Sequence, residues 1–146
     1  MKIDEKRIIR NRIRNYIFII LAILCVAFGC FTVFYLNTEA KKALREAKNV
    51  KLAFQMLDIE YYGKGKNILD EKKRSGIRDD AMERIRSVIE NEAEIQLTGY
   101  DKGNRVVTGF IYETKRVRVV YYKEDMKNTW KVEYLLPVLS YEEVSE

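Results

Sequence analysis

Hydrophobic and polar positions alternate along this chain with three different rhythms, and each rhythm predicts a different kind of element. From Tyr16 to Leu36, "YIFIILAILCVAFGCFTVFYL", there is no rhythm: 21 residues pass without a charge. At about 1.5 Å per residue such a stretch spans roughly 31 Å as a helix, close to a bilayer core of about 30 Å. Backbone in lipid must satisfy its own hydrogen bonds, so a helix is expected over 16–36, with Tyr16, Ile20, Leu24, Phe28, Phe31 and Leu36 as membrane-anchor residues. The alternative is the buried helix of a soluble core, which seldom runs uncharged for so long.

The second rhythm begins where the first ends. Leu36, Ala40, Ala43, Ala47, Val50, Phe54, Leu57 and Tyr61 fall in steps of four and three, with Lys, Glu, Arg, Asn, Gln and Asp at most positions between. This is one face of a helix. No Gly or Pro interrupts before Gly63, so one helix is expected from Tyr16 to Tyr62, roughly 70 Å long at the standard rise. Ala43, Ala47, Val50, Phe54, Leu57 and Tyr61 form its packing stripe, expected against the protein's own sheet. The alternative is a parallel coiled coil between copies, for which alanine makes a thin seam. Glu46 reads as a surface residue paired with Lys42 and Lys48.

The connector 63–80 is polar, with a basic run Lys72-Lys73-Arg74 that reads as solvated. Asp80 and Glu83 suggest a capping box opening a short helix that ends near Asn91. Then the period becomes two. "EIQLTGY" places Ile95, Leu97 and Gly99 on one side. "RVVTGFIYE" follows the turn Asp101–Asn104, "RVRVVYY" aligns Val117, Val119 and Tyr121, and "TWKVEYLL" aligns Trp130, Val132, Tyr134 and Leu136. Four such runs joined by turns predict an antiparallel meander with one face on the helix. The fold class is therefore α+β: a transmembrane helix continuing as a long amphipathic helix, packed on a four-stranded antiparallel sheet, plus one short helix. The expected divisions are a basic cytoplasmic tail (1–15), the span (16–36), the helical extension (37–62), an extracytoplasmic α+β domain (63–141, its last strand closed by Pro137) and an acidic tail (142–146).

Charge changes the picture in one respect. The net charge of +5 concentrates at the start: residues 1–15 carry +4 and the remainder only +1. A juxtamembrane cluster favours the cytoplasmic side and anionic lipid rather than nucleic acid. Arg10, Arg12 and Arg14 are the expected topology and headgroup residues. Five positives also follow the span, at Lys41, Lys42, Arg45, Lys48 and Lys51. Arg14 adjoins the span directly, so the expectation is N-terminus inside and C-terminal domain outside. The span is longer than a signal-peptide core, and Thr38-Glu39-Ala40 is a poor cleavage site. "AFGC" (Ala27–Cys30) matches a lipoprotein signal only faintly.

Candidate chemistry is sparse. The chain has no histidine, and its two cysteines, Cys25 and Cys30, lie within the span. That leaves neither a disulfide framework nor a zinc ligand set in the remainder. The four serines (Ser75, Ser87, Ser140, Ser145) lack a nucleophile context, and "GKGKN" lacks phosphate-loop spacing. The pairs Tyr61-Tyr62 and Tyr121-Tyr122 each predict one ring in the core and one in solvent. Lys115, Arg116 and Arg118 read as a basic strand edge. No catalytic residue, metal or cofactor is expected, and the chain is expected not to be an enzyme.

A short basic N-terminus, an apolar helix continuing as an amphipathic one, a connector, and an antiparallel sheet on that helix: this order resembles the type IV pilin and pseudopilin architecture. The resemblance is one of plan. Arg14 and Asn15 stand where that family carries a leader glycine, and no glutamate interrupts Tyr16–Leu36. It implies a non-catalytic structural or assembly component of a bacterial cell surface, stored in the membrane and self-associating or meeting other assembly proteins. The rival expectation is a membrane-anchored sensor or adaptor whose outer domain binds a ligand or protein.

Overall fold

The structure, a computed structural model, describes residues 2–124 and 127–135, with side chains from residue 9 onward. It is α+β: helix α1 (Lys2–Gly63), helix α2 (Asp79–Arg86) and strands β1 (Glu94–Asp101), β2 (Val106–Glu113), β3 (Val117–Glu124) and β4 (Lys127–Tyr134). The strands form one antiparallel sheet in the order β1-β2-β3-β4. The chain divides into two compact units, 1–38 and 39–146.

In the first unit, α1 begins earlier than the expected Tyr16. The tail contains no Gly or Pro, and its Arg, Lys and Ile residues are compatible with a helix. Tyr16, Ile20, Leu24, Phe28 and Phe31 are all exposed and Leu36 is half-exposed. An apolar helix exposed all round suits an apolar surrounding. This helix is the one among the described residues that is long and apolar enough to cross a membrane.

In the second unit, Ala40 through Tyr61 follow the expected stripe. Ala43, Ala47, Val50, Phe54, Leu57 and Tyr61 are buried in one core with Val107, Phe110, Tyr112, Val117, Val119 and Tyr121 of the sheet. A row of rings joins helix to strands: Phe54 meets Phe110 edge-on at 5.4 Å, Phe110 lies 5.3 Å from Tyr121, and Tyr121 lies 4.6 Å from Trp130. Aromatic contacts of this kind add about 0.5–1.5 kcal/mol each beyond area burial. Trp130 and Val132 are half-buried and Tyr134 is exposed, because β4 is an edge strand.

Several details depart from the sequence reading. The strict alternation expected in β1 breaks at Gly99, where the register with β2 shifts. The bulge rephases the strand, so that Tyr100 rather than Gly99 reaches toward α1. Helix α2 starts at Asp79, ends at Arg86 and has Arg78 as its N-cap with no side-chain cap bond. The capping box does not form: Asp80 lies inside the helix and receives the Arg78 Nε at 3.3 Å. The connector is less polar in effect than in composition. Ile68 and Ile77 are fully buried, and Leu69 bridges Ile77 as an isolated antiparallel pair. The third turn is shorter than expected, since β3 runs to Glu124 and β4 starts at Lys127. Leu136, Pro137, Ser140, Ser145 and the acidic tail lie outside the described residues, as do Asp125 and Met126.

Candidate functional site

Two carboxylates of α1 sit inside the protein. Glu46 is 4 % exposed and Asp58 is 6 % exposed. The expected pairing of Glu46 with Lys42 and Lys48 is overturned: position 46 shares the inward side of α1 with Val50 and Leu57, so its carboxylate points into the core. There it accepts the Tyr112 hydroxyl and, at 2.9 Å, the Asn91 amide. Lys42 instead meets Glu90 at 3.1 Å. Asp58 accepts the Tyr100 hydroxyl at 2.7 Å and has the Arg105 guanidinium 3.7 Å away. Burial, reinforced by the Glu46 carboxylate, pushes the Tyr112 hydroxyl far above its ordinary pKa near 10. Burial and then Asp58 do the same to Tyr100. Both shifts favour the protonated phenol, the form that donates to the carboxylate. The arrangement fastens α1 to β1 through one tyrosine and to β2 through another.

Beside Asp58 lies a cleft of about 740 Å³, walled by Phe54, Ile59, Tyr62, Val106 and Tyr121 and carrying Lys51, Arg105 and Lys123. Its polar groups largely satisfy one another. Lys51 Nζ donates to Asn128 at 3.0 Å and stands 4.6 Å over the Tyr121 ring. Arg105 donates to the Lys66 carbonyl at 2.6 Å and lies 5.0 Å over the Tyr62 ring. Arg105 is also the one non-glycine residue with positive φ among the described residues, at 53°. The cleft can hold an apolar or amphipathic group with an anionic end.

The tyrosine pairs behave as expected: Tyr61 and Tyr121 are buried, Tyr62 and Tyr122 exposed. Arg116 pairs with Glu39 at 3.1 Å and Arg118 with Glu113 at 2.6 Å, which leaves Lys115 as the cation of that edge without an ion pair among the described residues. The Ser75 hydroxyl donates to the Ile77 carbonyl and that of Ser87 to the Arg84 carbonyl, so both serve local turns. No cluster of potential metal ligands occurs among the described residues. Arg10, Arg12 and Arg14 are exposed on α1 ahead of the apolar stretch. Sequence reasoning missed Glu46, Asp58 and Arg105. A helical projection carrying polar as well as apolar residues would have found the first two. Compared with protein-family models, with curated proteins and with solved structures, the chain matches none.

Proposed function

We propose that the chain is a non-catalytic single-pass membrane protein of pilin-like plan, a structural or assembly component of a bacterial cell surface. One observation carries this reading. Helix α1 contains an apolar stretch exposed on all sides, and its later residues bury a stripe beneath a β-meander. The first part supplies storage in lipid; the second gives each subunit a rigid spine under an outward sheet. The basic residues Arg10, Arg12 and Arg14 ahead of the apolar stretch support a cytoplasmic N-terminus.

A cysteine placed at Lys72 in a chain lacking Cys25 and Cys30 tests sidedness. An impermeant maleimide labels it on intact cells if the domain is outside. Shearing should then release the protein with surface fibres, and deletion should abolish them. Labelling only after lysis, or fibres unaffected by deletion, sinks the proposal. The cleft beside Arg105 favours a second reading, an anchored sensor or adaptor. In that case Arg105→Ala with Lys123→Ala abolishes function in a protein that does not self-associate.

A further inference from the structure

We propose that the solvent face of α1 bearing Lys41, Arg45 and Lys48 docks head-to-tail on the Glu83–Glu92–Glu94 edge of a second copy of this chain. The inference rests on the self-assembling reading above and names the contact within it. Lys41, Arg45 and Lys48 are spaced by four and three, so they share one side of the helix. All three are exposed, and none carries an ion pair among the described residues. That side holds no acid between Thr38 and Ile59; its further positions are Leu52, Met56 and Ile59, all exposed. The acids elsewhere on this part of α1 are engaged. Glu46 and Asp58 are buried and bonded, Glu39 holds Arg116, and Glu60 holds Lys64 and Arg84. The face is therefore cationic at one end and apolar at the other, with no acid of the described residues paired to its cations.

The complement lies on the α2–β1 edge of the same unit. Glu83, Glu92 and Glu94 are exposed carboxylates without ion pairs among the described residues. Glu94 shares one surface depression with Glu83 and another with Glu92; Arg86 lines both, and Lys115 lines the second. The Lys42–Glu90 pair sets this edge level with the basic stripe, two residues from Glu92. Two different, complementary patches at one level, one on α1 and one on the α2–β1 edge, let copies stand side by side. Pairing the basic stripe with itself brings six cations together and is disfavoured. The contact is thus heterologous, the kind that propagates into a ring or an open filament.

The test uses the full chain with Cys25 and Cys30 replaced by alanine, reconstituted in phosphatidylcholine vesicles. Arg45→Cys and Glu92→Cys are made in separately tagged chains and treated with a short bismaleimide. The mixture should crosslink at least tenfold above either variant alone. In co-purification of tagged chains bearing the triple change Lys41→Glu, Arg45→Glu and Lys48→Glu, association should fall. A partner carrying Glu83→Lys, Glu92→Lys and Glu94→Lys should restore it. Three results overturn the inference: Arg45→Cys crosslinking with itself, a mixture no better than its components, or crosslinking lost in phosphatidylglycerol vesicles because lipid occupies the face. Co-purification that persists without crosslinking removes this contact but leaves self-assembly through the span standing. Chains that neither crosslink nor co-purify remove both.

Discussion

Removing one hydroxyl should reveal how firmly α1 is fastened to the sheet. Tyr112→Phe leaves the ring in place but withdraws a donor from the buried Glu46 carboxylate, which then keeps only the Asn91 amide. No lysine or arginine among the described residues pairs with Glu46 to replace it. A hydrogen bond to a charged group contributes about 1.5–3 kcal/mol, and its loss inside the protein is not offset by water. The expected cost is therefore about 2–3 kcal/mol, a large share of a total of about 5–15. Glu46→Leu alone strands the Tyr112 hydroxyl and should cost about 1–3 kcal/mol. The double variant replaces both partners by apolar groups, and half-exposed Asn91 can turn to solvent. It should be less destabilised than the two single costs combined, by about 2 kcal/mol. Urea unfolding of the full chain in micelles reads this through Trp130, the sole tryptophan, packed on Tyr121. With an m value of about 1–2 kcal/mol/M, Tyr112→Phe moves the midpoint down by about 1–3 M. A shift below about 0.3 M at unchanged m, or strictly additive costs, would refute the reasoning.

Alkali should act through the same groups. Tyr100 and Tyr112 have pKa values raised by folding, so their contribution is complete below the unfolded value near 10 and is lost as pH climbs beyond it. Stability should fall above about pH 10, and the tyrosinate absorbance of these two should develop only together with the loss of Trp130 packing; ionisation of both in the folded protein refutes this. Arg105→Gly should be less destabilising than Arg105→Ala by about 1 kcal/mol, since both lose the Lys66 contact but only glycine accepts φ 53° freely. Equal midpoints for the two would remove the backbone argument. Ile77→Ala should cost about 2–5 kcal/mol in the same assay, as for a core position. Exposed Lys72→Ala should stay within about 0.5 kcal/mol. Similar small effects at both positions would show that the connector is not stitched to the core.

The fold was legible wherever a single period ran long enough. The stripe from Ala40 to Tyr61 and the alternation of Val117, Val119 and Tyr121 each announce a buried face by spacing alone. What stayed hidden depends on neighbours that are distant in sequence. Glu46 looks like a surface glutamate until Tyr112, 66 residues later, supplies its donor. Tyr100 joins Asp58 only because a bulge at Gly99 shifts the phase of β1, and a one-residue irregularity leaves no trace in a periodic pattern. Asp80 has the composition of a cap, yet the Arg78 side chain competes for it and the helix opens two residues earlier. The candidate docking face was half legible: its cations were counted as topology signals, while their shared side and lack of partners needed the fold.

The order of elements also bears on synthesis. Phe54 is made 76 residues before Trp130, and every strand that covers the α1 stripe follows the helix in the chain. At about 5–20 residues per second, that helix side waits roughly 4–15 s for its last cover. During that interval Val50, Phe54 and Leu57 have no native shelter. Chains stalled before β3 should therefore be the forms that chaperones and proteases meet first.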